Sequence, residues 1–369
     1  MKPAYRADHV GSFLRPRELL AARWRGATAH ELLGIENRYA VQMLTQQQTL
    51  GLDVFTDGEL RRKNFMSDFT DAVEGFDHAT PVAREWEASE RDSVVPVTVV
   101  TGVVASKLRQ RRRLTAEELP FLQRHSPGPI KITLPSATQF PAIAYQRGVT
   151  DAVYASHSEL LWDIVTIVKD EVAALAAAGV PYIQIDAPRY SYYIDEKWRA
   201  WMRTEMGVDP DAAFDEAIRA DNACFDTVDA SMRESVTLAI HLCRGNNRSH
   251  WYAEGGYDAI AEKLFGSLHV DRFLLEYDDE RSGTFEPLRF IPRGKRVVLG
   301  LVSSKVPTLE APATLRARVE EASRYVPLED LALSPQCGFA STLEGNILTE
   351  PQQWEKLKLV VNTAREIWG

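Results

Sequence analysis

Four residues in the second half of the chain could hold a metal ion together: His241, Cys243, Glu276 and Cys337. His241 and Cys243 are two positions apart, so in an extended segment their side chains leave the same face and reach one ion. An imidazole with a thiolate suits Zn2+, which is redox-silent and prefers four ligands of this kind. Glu276 offers a carboxylate oxygen and Cys337 a second sulfur. A catalytic zinc ordinarily keeps three protein ligands and one open position. A set of four therefore asks one of them, Glu276, to yield when a substrate sulfur arrives. A single Cys or His is more often a packing residue, and Cys224, inside an apolar helical stretch, reads that way. Asp57, Glu59 and Asp186 each stand just after a short apolar run, where a carboxylate can meet a ligand.

Such groups converge only if strand ends do. Eight β-rich runs are separated by helical patterns: 5–10, 53–56, 130–134, 182–185, 237–241, 272–276, 296–301 and 331–334. Helices are predicted over 36–50, 151–178, 212–232, 257–265, 313–325 and 352–367, from apolar residues spaced by three and four. Gly51 and Gly179 stand at predicted helix ends and Pro351 at a helix start. Alternating strands and helices imply parallel βα units, and eight of them imply a (β/α)8 TIM barrel over residues 1–369. A miscount by one would instead give an open doubly wound sheet. Residues 60–128 are too long for one crossover and are expected to form an insertion or cap after the second strand. Within it, 93–106 reads as a β-hairpin turning near Thr101-Gly102, and 116–124 as a short helix. In such barrels the chemistry sits at the C-terminal strand ends, where Gly11-Ser12, Asp57-Gly58-Glu59, Asp186, His241-Leu242-Cys243, Glu276 and Cys337-Gly338 fall.

The 369 residues carry a net charge of −9, which argues against a nucleic-acid footprint. No apolar stretch reaches the ~20 residues that span a bilayer, and the first residues lack a signal peptide's apolar core. A cytoplasmic location is expected. Three cysteines cannot all pair, and in a chain of this size metal binding or catalysis explains them better than disulfides.

The runs Arg6-Ala7-Asp8-His9-Val10-Gly11-Ser12-Phe13, Gly51 through Glu59, Ile183-Gln184-Ile185-Asp186, His241-Leu242-Cys243 and Ser334-Pro335-Gln336-Cys337-Gly338 resemble the catalytic C-terminal domain of cobalamin-independent methionine synthases. The likeness spans nearly the whole chain and keeps the motif order; with its one barrel, the chain is more similar to the short relatives of that family. The resemblance implies a (β/α)8 barrel with zinc on His241, Cys243, Glu276 and Cys337. It implies homocysteine as the thiol, with Val10, Gly11 and Ser12 contacting its amino-acid end and Glu59 and Asp186 gripping its ammonium group. It implies methyl transfer from methylfolate or another methyl donor, giving methionine.

The departures fall on the donor side. The family's Asp-Glu-Pro is here Asp186-Ala187-Pro188, its Asp-Ile-His-Ser is Gly300-Leu301-Val302-Ser303, and the pterin-stacking tryptophan has no counterpart near Phe140–Ala142. No general acid for the leaving group, and hence no catalytic residue beyond the ligands, is assigned. A rival reading is alkyl transfer to another thiol, of the epoxyalkane–coenzyme M type; its sulfonate ligand would need a cation such as Arg6, Arg15, Arg244 or Lys305 beside the sulfur site. A non-catalytic barrel with structural zinc fits worse, because such sites favour cysteine-rich ligands close in sequence. The tyrosines at 190–193 read equally as a stacking platform or as surface packing. Neither nucleic acid nor membrane is expected as a partner, and self-association is left open.

Overall fold

The computed structural model describes residues 2–79, 82–87, 94–99 and 102–369. Six strands form one parallel sheet: Lys131–Pro135 (β1), Tyr182–Asp186 (β2), Thr237–Leu242 (β3), Arg272–Glu276 (β4), Arg296–Val302 (β5) and Leu331–Pro335 (β6). They lie side by side in chain order, each hydrogen-bonded to the next. Nearly every residue in them is buried, as expected of strands covered on both faces. Long helices run before, between and after them, among them Ala29–Leu50 (α1), His157–Ala177 (α2), Pro210–Phe225 (α3) and Glu350–Trp368 (α4). The fold is therefore α/β, with a parallel sheet at its centre.

The two N-terminal runs predicted as strands do not form them. Each touches one edge of the sheet through a single parallel bridge, Ala7 with Leu333 and Phe55 with Ile130. The reason is local. Tyr5 takes a positive φ of 43°, which breaks the extended run, and the Ala7 N–H donates to the Asp53 carboxylate at 3.0 Å instead of to a strand carbonyl. At Thr56, the Gln47 amide of α1 accepts the N–H (3.1 Å) and donates to the C=O (2.9 Å), using both groups that a ladder would need.

The segment 60–128 also corrects the sequence reading. Strand 94–99 pairs antiparallel with 82–87, and 103–110 pairs with 73–77. Among the described residues the expected hairpin over 93–106 does not form, since 94–99 and 103–110 pair with earlier strands; Thr101 of its turn lies outside the described residues. The short helix forms at Glu118–His125.

Near the N-terminal strand ends, Asp8 is wholly enclosed by Lys131 Nζ (2.7 Å), Arg272 Nη1 (3.1 Å) and the Tyr182 hydroxyl (2.8 Å). These three partners are the first residues of β1, β4 and β2. Helix α4 braces two loops at the opposite rim. Gln353 accepts the Leu14 N–H at 2.6 Å, and Trp354 packs on Phe13 at 5.2 Å. Lys356 pairs with Glu310 at 2.9 Å, and Glu310 in turn accepts the Ser303 N–H at 2.8 Å.

Candidate metal centre

β3 and the residue after it carry His241 and Cys243 to the rim, and the turn after β6 carries Cys337. One ligand atom from each of the three lies within 4.8 Å of the other two, and all three residues are buried. Neither ring nitrogen of His241 has a hydrogen-bond partner. A buried imidazole with both nitrogens unmatched is costly unless something else takes a lone pair. Two sulfurs and one imidazole are also the donor set that zinc prefers. The residues present therefore fit a metal ion.

The charges in this cluster are interdependent. The contact with Cys243 holds the Cys337 thiol well below its ordinary range, with His241 adding to it. Cys243 is pushed up by the same contact and by burial. Burial favours neutral His241, but the neighbouring Cys337, with Asp186 and Glu276, outweighs it and moves the imidazole up.

Glu276 closes β4 and is fully buried, yet its carboxylate is not one of the clustered ligand atoms. One oxygen accepts the Arg244 N–H at 2.8 Å and the other faces Arg281 at 3.3 Å.

On the β1–β2 side stand the residues expected to hold an amino-acid end. Asp186 sits in register beside His241. Burial, with Glu59 and Cys337 adding to it, pushes its carboxyl up to about 7, although His241 and the Gln184 amide oppose this. Glu59 adopts a left-handed φ of 56°, its N–H held by Asp57 at 2.8 Å. Its Oε1 accepts from the Thr133 hydroxyl at 2.9 Å, while its Oε2 is buried without a partner. Asp57 itself is spent on Arg61 at 3.1 Å. Gly11 lies against Glu59: a Cβ there would come within 2.5 Å of Oε1, so only glycine permits the approach. Val10 is buried beside it. The Ser12 hydroxyl accepts from the Ala340 N–H at 3.3 Å, and its C=O takes the Phe339 N–H, tying this loop to the Cys337 turn.

Of the four cations named for a sulfonate, three are committed elsewhere. Arg6 binds the Leu331 carbonyl at the far end of β6. Arg15 serves the carbonyls of Ala340, Thr342, Glu59 and Arg62. Arg244 serves Gly255, Ser282, Glu276 and the Tyr257 hydroxyl. Lys305 is different. Its buried ammonium donates to the Gly245 carbonyl at 3.0 Å, and it acts on both Cys243 and Cys337.

The tyrosines at 190–193 are buried, not surface packing. Tyr192 stacks on Trp198 at 4.1 Å, Tyr193 packs on Phe214, and Tyr190 donates to Asp221. Tyr192 and Tyr193 line a cavity of about 660 Å³ between the starts of α2 and α3, which none of the clustered ligands touches. Cys224 is buried in α3, away from the cluster.

Residues 9–366 match the family described as "Cobalamin-independent synthase, Catalytic domain". The chain belongs to the cobalamin-independent methionine synthase family. It is 38% identical to the uncharacterized protein YxjH of Bacillus subtilis, over all of this chain and 96% of that protein. It is 24% identical to a methionine synthase of Thermococcus kodakarensis, over 89% of this chain and 85% of that one. A solved structure, described as a putative vitamin-B12 independent methionine synthase from Listeria monocytogenes, matches with a TM-score of 0.73 at 31% identity. That match covers 100% of this chain and 99% of the other. Membership supports a methyltransferase acting on small molecules. Among the described residues no helix is long and apolar enough to cross a membrane.

Sequence reasoning passed over Thr133, Gln184 and Arg281. The first two were findable: Tyr182, Gln184 and Asp186 alternate along β2, and Lys131 and Thr133 along β1, which puts polar groups on one face of apolar strands. Arg281 had no such signal, because it stands in an irregular turn.

Proposed function

We propose that this chain methylates the thiol of homocysteine with a zinc ion held by His241, Cys243 and Cys337 and, in the thiol-free state, by Glu276. The observation that carries the reading is the cluster of two sulfurs and an unpartnered imidazole gathered from the C-terminal ends of β3 and β6. The same reading joins the two bridged N-terminal segments to the six strands as a closed eight-membered barrel, one domain over 1–369 with 60–128 as its insertion.

Bound there, zinc would deprotonate a coordinated thiol at neutral pH. The chain's own residues do the rest. Glu59 Oε2, which has no hydrogen-bond partner of its own, and Asp186 receive the substrate ammonium in charge-assisted hydrogen bonds. The backbone at Val10 and Gly11 and the Ser12 hydroxyl border the same place and orient the carboxylate end. Burial of the cluster keeps water from the nucleophile. On the donor side Ala187 and Val302 are apolar and fully buried. Gly300 admits no side chain, since a Cβ would lie 2.7 Å from Gln336 Cα and the Leu275 carbonyl. Those positions offer no acid to a leaving group.

The test is zinc analysis of the purified chain, then homocysteine with a panel of methylfolates, sulfonium compounds and epoxides, read as thioether by mass spectrometry. Full activity without metal, or no thioether from any methyl donor, would sink the proposal. One observation favours a second reading, alkyl transfer to a sulfonate thiol: the buried Lys305 ammonium beside the sulfurs. Tight binding of 2-mercaptoethanesulfonate with no binding of homocysteine would put that reading first.

A further inference from the structure

We infer that Arg281 is a positioning residue that holds the Glu276 carboxylate back from the metal centre and so sets how readily Glu276 gives way to the substrate sulfur. This rests on the zinc-and-thiol reading above. Glu276 is fully buried at the end of β4 and both its oxygens are taken, by the Arg244 amide at 2.8 Å and by Arg281 Nη2 at 3.3 Å. Each oxygen keeps a lone pair for an ion, but a move toward the ion stretches these two contacts and works against Arg281. The contest between ion and guanidinium makes it the weakest of the four ligands.

Arg281 is itself fixed, so it cannot follow the carboxylate. Its guanidinium lies 4.0 Å from the centroid of the Trp251 ring. Its Nε makes hydrogen bonds of 2.9 and 2.7 Å to the two Asp279 oxygens, and Nη2 sits 3.5 Å from Asp278. Its own C=O accepts the Gly255 N–H at 3.0 Å. The remaining nitrogen, Nη1, is buried with no acceptor. A carboxylate turning toward Arg281 therefore meets a second donor on the same planar group, the two-pronged geometry in which arginine binds carboxylates best. One guanidinium here also answers three acids, Glu276, Asp278 and Asp279. Removing it frees Glu276 and concentrates negative charge beside the ion.

The test uses the full chain with Arg281→Gln, Arg281→Lys, Glu276→Gln and the double variant Arg281→Gln/Glu276→Gln. Zinc affinity is read by chelator competition, homocysteine affinity by calorimetry on the zinc-loaded protein, and coordination by the absorption of the cobalt-substituted protein. Arg281→Gln is expected to bind zinc several-fold more tightly and homocysteine at least tenfold more weakly. Arg281→Lys should recover part of the homocysteine affinity. In the double variant the homocysteine deficit should vanish, because no carboxylate remains to compete. Trp251→Leu, which keeps the charge but loosens its seat, should shift both affinities the same way by less, and serves if Arg281→Gln does not fold. Unchanged homocysteine affinity in Arg281→Gln, or a deficit that persists in the double variant, overturns the inference. If wild-type zinc protein binds no homocysteine, the functional reading fails. The thiol-free zinc affinities and cobalt spectra still decide whether Arg281 restrains Glu276: equal values in wild type and Arg281→Gln refute it.

Discussion

Two buried polar clusters occupy opposite ends of the same strands, and they are built on opposite terms. At the N-terminal end Asp8 meets Lys131, Arg272 and Tyr182, so both its oxygens are matched. At the C-terminal end His241 has no partner for either nitrogen and Glu59 none for Oε2. The two carboxyls respond accordingly. Burial pushes both up, but Lys131 and Arg272 reverse it at Asp8, which falls to about 2. Asp186, where burial outweighs His241 and the Gln184 amide, rises to about 7. A buried charge that is fully answered belongs to the fold; one left unanswered waits for something the chain does not supply.

The hardest blow to this contrast falls on the matched end. Asp8→Ala leaves Lys131 and Arg272 buried without their anion, a loss of roughly 3–5 kcal/mol. Urea unfolding should show it, and a change below 1 kcal/mol would put the lower cluster in the same class as the upper. Cys337→Ser should do the reverse. Zinc content and thioether formation collapse, beyond the roughly 10–100-fold seen when a residue that only orients a ligand is lost, while the melting temperature stays near wild type. A Cys337→Ser protein that unfolds would mean that the upper cluster also holds the fold.

A third buried carboxylate sharpens the rule. Asp221 accepts from the Ser136 and Tyr190 hydroxyls at 2.7 and 2.9 Å, with no cation paired to it among the described residues. Burial outweighs these two contacts and lifts it from 3.8 to about 6. Its folded value exceeds its unfolded one. The stability tied to its protonated form is therefore full below about pH 4 and lost as pH rises through 6, by up to about 3 kcal/mol. Asp221→Asn should gain on wild type between pH 4 and pH 7 in denaturant titrations; a constant difference would contradict this. The mildest case is Glu59→Gln. It removes one charge-assisted partner of the ammonium, worth about 1.5–3 kcal/mol, so homocysteine affinity should fall roughly ten- to hundredfold with little change in stability. Calorimetry showing equal affinity would remove Glu59 from the site.

What the sequence disclosed follows the same division. The six sheet strands were legible within a residue or two, because fully buried parallel strands read as unbroken apolar runs between helical patterns. The edge segments were not. Nothing in Asp53–Thr56 announces that a glutamine one helix-end earlier will take the backbone groups of Thr56, or that Asp53 will take the Ala7 N–H. In the segment 60–128 the strands were visible but not their partners. Antiparallel pairing over 73–110 nests one hairpin inside another, and local pattern cannot say which run answers which. At the rim, His241, Cys243 and Cys337 stood out by type and spacing. The restraint on Glu276 did not, since Arg281 and Trp251 come from separate turns and meet only in three dimensions.

The brace supplied by Glu350–Trp368 has a consequence for the order of synthesis. Leu14 and Glu310, hundreds of residues apart, are both pinned by a segment that leaves the ribosome after every other element described. The sheet can assemble while translation proceeds, but the loops at either side of the sulfurs gain their last supports only once this helix has been made. A nascent chain thus carries its cysteines in an unfinished mouth until the helix Glu350–Trp368 is in place.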